Sequence, residues 1–249
     1  MTEWGPLRQE TRIWQSEGLR LPLWWRDDDA VSASAPLERL VGLSEEVALP
    51  VYLAVIPDLA EPSLVDAVAA SGGALRPVVH GWRHENHAPA GSKKAEFGQP
   101  RATARDEICE GYARLSHLFG PALNAMFVPP WNRIDDSHLP GLVAAGHRVI
   151  SVFGPRKRGQ AVDGLRYVNT HLDPVDWRGT RSLVPAETLI AGLVADLRAR
   201  RAGHVDGNEP YGLLTHHLVH DAPVWDFTRA CLTELLSSVA DPADPMAVP

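Results

Sequence analysis

The chain has 249 residues, a length that one domain with a single core can have. Hydrophobic residues make up 45% of the sequence and charged residues 22%, which excludes a disordered or fibrous protein. A formal net charge of -7 argues against nucleic acid or a membrane surface as the main partner, because both attract positively charged proteins. The sequence lacks the uninterrupted apolar run of a signal peptide or a membrane span, so we predict a cytoplasmic protein.

Short apolar runs typical of strands alternate with longer segments of helical periodicity along most of the chain. The predicted strands are residues 21–26, 51–56, 75–80, 125–128, 148–153, 165–169 and 212–216. The predicted helices are residues 36–46, 62–70, 103–119, 137–145, 185–201 and 226–239. This alternation predicts an α/β fold with a parallel sheet, and we favour a distorted seven-stranded (β/α) barrel forming a single domain.

No repeat or change of composition divides the sequence. We expect the barrel to span residues 21–240, with an N-terminal extension (1–20) packed on it and a flexible tail (241–249). Residues 88–101 are rich in Gly, Pro, Lys and Ser, which predicts either a loop over the mouth of the barrel or a surface excursion.

Polar clusters follow four of the predicted strands. They are residues 27–29, 80–87, 129–132 and 216–217. Because the carboxyl ends of parallel strands share one face, we expect these clusters to converge there.

The first cluster consists of Asp27, Asp28 and Asp29. Three adjacent carboxylates repel one another unless a cation or several hydrogen-bond donors lie nearby, and a metal ion would supply that compensation. The alternative is a turn that caps the following helix, because aspartate is favoured at both kinds of position.

The second cluster contains three histidines within eight residues, His80, His84 and His87. The His-x3-His spacing places two imidazoles on one side of a helical turn, close enough to bind one ion. The alternative is a solvated histidine-rich loop. His87 fits a third ligand, a supporting group or an exposed side chain equally well.

Two histidines and one carboxylate form the ligand set of a catalytic zinc-type site. We therefore expect one divalent metal ion, with zinc the first candidate, although cobalt, nickel or iron also suits these ligands. A remaining aspartate could act as general base on a water that attacks an amide carbonyl, and His216 could protonate the departing amine. The alternative for His216 and His217 is a capped strand end with one buried histidine.

These motifs, in this order, resemble the polysaccharide deacetylase family, carbohydrate esterase family 4, whose fold is a distorted β/α barrel. The resemblance extends from about Leu21 to His217. By similarity to the first motif, Asp27 is the catalytic base and Asp28 a metal ligand. Asp29 stands where the family has glycine, so a one-residue shift of these roles is the alternative. By similarity to the second motif, the ligand histidines are those at 80 and 84.

The third motif corresponds to residues 127–132 and implies that Pro130 and Trp131 form a wall of the substrate groove, with a peptide N–H near Trp131 for the oxyanion. Val128 replaces an arginine that orients the base in the family. Three cations could take its place. They are Arg26, Arg133 and Arg178.

The fourth motif implies an acidic residue that supports the catalytic histidine, for which Asp176 is the first choice and Asp173 the second. It also implies that Trp177 lines the acyl pocket. The fifth motif, Leu-x-His, selects His216 over His217.

The resemblance therefore implies a metal-dependent hydrolase that removes an acyl group from an amide nitrogen of a small-molecule or oligosaccharide substrate. Acetyl is the first candidate for the acyl group. Eight tryptophans suit either stacking on sugar rings or an apolar core. Those near the proposed face are Trp24, Trp25, Trp82, Trp131 and Trp177. The alternatives are a hydrolase of another small linear or cyclic amide and a catalytically silent sugar-binding protein. The sequence leaves the oligomeric state open.

Overall fold

A curled, mostly parallel sheet lies at the centre of the computed structural model, which describes residues 2–247. Its strands are β1 (Leu21–Ala30), β2 (Val51–Val55), β3 (Leu75–His80), β4 (Met126–Val128), β5 (Val149–Ile150), β6 (Gln160–Val162), β7 (Leu165–Tyr167), β8 (Tyr211–Thr215) and β9 (Ala240–Pro242). The strand order is β6-β7-β5-β4-β3-β2-β1-β8, and β9 pairs with the start of β1. Only β6 and β7 pair antiparallel in this sheet.

Seven α-helices accompany the sheet in the described residues. They are α1 (Gly5–Ser16), α2 (Ala35–Val47), α3 (Pro62–Ala70), α4 (Ala104–Phe119), α5 (Leu139–Ala145), α6 (Ala186–Arg201) and α7 (Ala222–Leu236). Most connect successive parallel strands, as right-handed crossovers require. The predicted α/β fold with a distorted barrel is confirmed, and the sheet curls into a half-barrel. In residues 2–247 no helix is long and apolar enough to cross a bilayer.

The strand count differs from the prediction of seven. All seven predicted strands are present, but β6 and β9 are additional. Each has three residues, which is too short to display an alternating pattern. Helix α1 was not predicted either; it begins near Pro6, buries Leu7 and Trp14, and packs against α6.

The start of the predicted flexible tail is part of the sheet. β9 pairs with Leu21–Leu23, and the Tyr52 hydroxyl donates a hydrogen bond to Asp244 Oδ1 at 2.7 Å. Residues 241–242, where the predicted tail begins, thus continue the sheet edge as part of β9. Residues 248–249 lie outside the described residues.

The sheet separates two apolar layers. The outer layer lies between the strands and the helices and includes Trp25, Leu53 and Phe127. The inner layer fills the half-barrel with Trp24 and seven further side chains, Tyr52, Ala54, Val78, Met126, Val128, Val149 and Val168. Burial on both faces is typical of a parallel sheet and leaves its carboxyl edge as the accessible polar surface.

Candidate metal centre and active site

The end of β1 directs its charged side chains to both faces of the sheet. Side chains alternate along a strand, so Arg26 and Asp28 face the interior while Asp27 faces the outer layer. A β-bulge then interrupts the pairing with β2 between Asp27 and Ala30, and Asp29 adopts φ 74°. Bulges redirect side chains, and here Asp28 and Asp29 line the same cavity.

Asp29, His80 and His84 form a group whose ligand atoms all lie within 4.8 Å of one another. Asp29 Oδ1 is 3.1 Å from His80 Nε2 and 3.3 Å from His84 Nε2. Two ligands at about 2.1 Å from one ion and roughly 90–110° apart are separated by ~3.0–3.4 Å, so the group fits one ion. Among residues 2–247 it is the one such group of three.

The histidine rings are oriented for metal binding. His80 Nδ1 lies 3.0 Å from the Val128 carbonyl oxygen, which can only accept a hydrogen bond. Nδ1 therefore donates to Val128, and Nε2 is the ring atom that faces Asp29, where it donates a hydrogen bond when protonated and can bind a metal ion when deprotonated. The side chain of His80 is buried at the end of β3, whereas His84 remains partly open to the cavity.

The pKa values of these three residues are shifted by burial and by their interactions with one another. Burial raises the pKa of Asp29, but the hydrogen bond and charge of His80 outweigh it, and the pKa is lowered overall. Burial and the neighbouring His80 lower the pKa of His84. For His80, burial is outweighed by Asp28 and Asp29, so its pKa is raised and a bound cation would displace a proton.

Asp28, the ligand expected from the first motif, is not in this group. Arg26 donates hydrogen bonds to both carboxylate oxygens of Asp28, from Nε to Oδ1 at 2.8 Å and from Nη2 to Oδ2 at 3.0 Å. The one-residue shift thus describes the geometry better than the unshifted alignment. The structure thus places Asp29, and not the expected Asp28, beside the two histidines in the group that could hold a metal ion.

Asp27, the expected base, lies on the sealed side of β1. Its side chain is fully buried, and Oδ2 accepts hydrogen bonds from Thr215 Oγ1 at 2.6 Å and from the His217 N–H at 3.0 Å. Oδ1 pairs with His217 Nδ1. Burial raises the pKa of Asp27, but His217 outweighs it and the pKa is lowered. A carboxylate enclosed in this way cannot reach a substrate, whereas Asp28 lines the cavity.

Arg26 is the cation that contacts Asp28. It is fully buried and also donates hydrogen bonds to Ser151 Oγ at 2.8 Å and to Asn132 Oδ1 at 2.6 Å. Arg133 and Arg178, the other two candidates, line the cavity without bonding to Asp28. The pairing follows from sequence position, because residues two apart on a strand share a face.

Glu96 supports the loop that carries His84, and the sequence interpretation missed it. Its buried carboxylate accepts hydrogen bonds from the backbone N–H groups of Trp82 at 3.1 Å, Arg83 at 2.8 Å and Glu85 at 3.4 Å. His84 itself has φ 59°, a strained conformation that its surroundings must hold in place. No sequence signal distinguishes Glu96 from other glutamates in polar loops.

The segment after β4 forms one wall of the site. Trp131 and Asn132 both have φ 57°, and the Trp131 ring lies 4.2 Å from that of His84. Pro130 is buried against Gly81 and does not line the cavity. The expectation that it forms part of the groove wall therefore does not match the structure, because its ring packs against the backbone at Gly81 while Trp131 lines the cavity.

His216 follows β8 and lines the same cavity. Its Nδ1 is buried without a hydrogen-bond partner among the described residues, and the Trp177 ring packs edge-on at 4.6 Å. Trp177 donates from its indole to Asp173 Oδ2 at 2.8 Å. Burial raises the pKa of Asp173 while the nearby His216 opposes that change.

Asp176, the first choice for supporting His216, is used elsewhere. Its carboxylate accepts hydrogen bonds from the Gly179 N–H at 3.0 Å and the Thr180 N–H at 3.1 Å, and it does not line the cavity. These bonds close a turn in its own loop. Asp173, the second choice, lines the cavity and accepts a hydrogen bond from the Trp177 indole, whose ring packs on His216.

The cavity that joins these groups has a volume of about 840 Å³. Trp131 and Trp177 line it, whereas Trp24 and Trp25 are fully buried in the two apolar layers. Neither His87 nor His217 lines it. His87 belongs instead to the loop before Glu96, where its N–H donates to the Ala95 carbonyl oxygen at 2.9 Å.

No protein-family model matches the sequence, and no curated protein matches it either. Solved structures do match. One described as a polysaccharide deacetylase from Mycobacterium smegmatis aligns with TM-score 0.63 at 18% identity, over 91% of this chain and 87% of that one. The chain has the polysaccharide-deacetylase fold.

A family 4 carbohydrate esterase from Streptomyces lividans, solved in complex with acetate, aligns with TM-score 0.55 at 13% identity, covering 92% of this chain and 95% of that one. A mutant of a family 4 pseudoenzyme with restored activity aligns with TM-score 0.59 at 10% identity, covering 92% of this chain and 67% of that one. The fold thus accommodates both active and silent proteins.

Proposed function

We propose that this protein is a metal-dependent hydrolase that removes an acyl group from an amide nitrogen of a sugar or oligosaccharide-like substrate. Acetyl is the first candidate for the acyl group. The observation that carries the proposal is the group of Asp29, His80 and His84 beside the arginine-held Asp28, with His216 facing the same cavity. A fold shared with polysaccharide deacetylases supports the same chemistry.

Asp29, His80 and His84 would hold one divalent ion, and zinc suits this donor set. When bound, such an ion polarises an amide carbonyl and makes a nearby water more acidic. Glu96 keeps the loop of His84 in its strained conformation.

The remaining residues handle protons and orientation. Asp28 takes the proton of the attacking water, and Arg26 fixes its carboxylate in position. His216 returns a proton to the departing amine. The peptide N–H at Trp131 is the candidate donor to the developing oxyanion.

The aromatic lining favours a sugar-like substrate. Trp131 and Trp177 line the cavity from two segments, and Trp177 is 40% exposed, so a ring could pack against its face. A cytoplasmic location, still a prediction from sequence, would favour a soluble precursor over cell-wall polymer. A small linear or cyclic amide remains the second candidate, because the fold and metal site do not fix the substrate.

The test is acetate release from a panel of N-acetylated sugars and small amides by apo protein, zinc-loaded protein, His84→Ala and His87→Ala. We expect zinc-dependent release, abolished in His84→Ala and retained in the matched control His87→Ala. Metal binding without turnover on any substrate would favour a silent binding protein, as in the pseudoenzyme relative. Failure to bind any divalent ion would contradict the proposal.

A further inference from the structure

Four basic side chains line the cavity of the candidate site. They are Lys94, Arg133, Arg178 and Arg181. None of the four forms an ion pair with a carboxylate in the part of the chain that the structure describes. The protein as a whole has a formal net charge of -7, so this unpaired positive group contrasts with the rest of the molecule.

The contacts that these cations make place them beside the aromatic walls. Arg133 Nη1 donates a hydrogen bond to the Lys94 carbonyl oxygen at 2.7 Å. The Lys94 ammonium lies 6.0 Å from the Trp131 ring centre, and the Arg181 guanidinium lies 5.4 Å from that of Trp177. Each of these two tryptophan rings therefore has a cation over it.

The acidic residues of the cavity do not require these cations. Asp28 is held by Arg26, Asp29 lies against the two ligand histidines, and Asp173 accepts hydrogen bonds from Trp177 and the Val175 N–H. A divalent ion at Asp29 would add further positive charge. The four cations of the cavity are thus left without a carboxylate partner among the described residues.

We propose that the substrate carries an anionic group, a phosphate or a carboxylate, which these cations bind while its acyl amide lies at the metal group. Guanidinium groups bind both anions through paired hydrogen bonds, and a ring packed on Trp177 would bring its substituent close to Arg181. The position of the amide rests on the proposed function, whereas the anion site stands on the cation cluster alone.

The test compares zinc-loaded wild type, the double variant Arg178→Gln/Arg181→Gln and the control Arg12→Gln, an exposed arginine on α1 that does not line the cavity. Calorimetry and acetate release are measured with N-acetylglucosamine, its 1-phosphate and 6-phosphate, and N-acetylmuramate. We expect at least one anionic sugar to bind about tenfold or more tightly than the neutral one, with the advantage lost in the double variant only.

The two measurements separate this inference from the proposed function. Equal binding and cleavage of neutral and anionic sugars would overturn the anion site and leave the hydrolase intact. Binding of an anionic sugar without cleavage of any substrate would support the anion site and contradict the hydrolase. No binding of any anionic sugar, or equal weakening of neutral and anionic sugars in the double variant, would overturn the inference.

Discussion

Two groups of aspartate and histidine face opposite sides of β1. On the cavity side Asp29 lies against His80 and His84, and the side chains of Asp29 and His84 are 32% and 24% exposed. On the outer side Asp27 pairs with His217, and both side chains are fully buried. The same residue types thus form an accessible site on one face and a sealed pair on the other.

The difference shows that backbone geometry decides which aspartates reach the cavity and which are buried. Alternation sends Asp27 into the outer layer, and the bulge brings Asp29 back to the cavity beside Asp28. Asp27 then contributes to folding, because a buried carboxylate needs the donors that Thr215 and His217 supply. The predictions below test this division.

The largest expected effect belongs to Asp28→Asn. An amide cannot accept the proton of the attacking water, so we expect kcat to fall by about 10²–10⁴-fold, the usual contribution of a general base. Acetate release under saturating zinc measures this change. Near wild-type turnover in this variant would remove Asp28 from the base role.

Asp27→Asn should affect stability instead. Removing one partner of a buried ion pair costs about 3–5 kcal/mol in the free energy of unfolding. Urea unfolding measures the loss, and kcat per folded molecule should fall far less than in Asp28→Asn. The matched control is Glu46→Gln, which breaks the exposed pair with Arg229 and should cost at most about 1 kcal/mol.

Glu96→Gln should weaken metal binding. The NH2 group that replaces one carboxylate oxygen cannot accept a hydrogen bond, so at least one backbone N–H near His84 loses its partner and we expect the zinc Kd to rise by about 10–100-fold, as for other groups that orient metal ligands. Competition with a chromogenic chelator measures the Kd. Glu85→Gln, in an exposed residue of the same loop, should leave it unchanged; equal effects of both variants would count against this role.

The smallest expected effect is on kcat/KM, in variants of the two aspartates that are candidates for supporting His216. Asp173→Asn should lower kcat/KM by about fivefold, the equivalent of one hydrogen bond, since it alters the contact with Trp177 beside His216. Asp176→Asn should change only the turn at Gly179 and leave kcat/KM unaffected. A larger loss of kcat/KM in Asp176→Asn than in Asp173→Asn would restore the original choice of Asp176.

The fold was largely accessible from the sequence because long apolar strands such as β2 and β3 alternate with clear helices. The histidine pair at 80 and 84 was also accessible from its spacing. The expected helical turn was wrong, however, because His80 ends β3 and His84 follows in an irregular loop with φ 59°. The sequence did not reveal that Asp29, and not Asp28, lies beside the histidines. This placement depends on a bulge that no local sequence pattern distinguishes from a regular strand. Glu96 acts through backbone groups far from it in sequence, so only the structure reveals its contacts.

The most direct test of the account is the zinc stoichiometry of Asp28→Asn and Asp29→Asn after equilibrium dialysis, measured by elemental analysis beside the wild type. We predict one ion per chain in wild type and in Asp28→Asn, and loss of the ion in Asp29→Asn. Retention of zinc by Asp29→Asn together with its loss from Asp28→Asn would contradict the assignment and return the ligand role to Asp28.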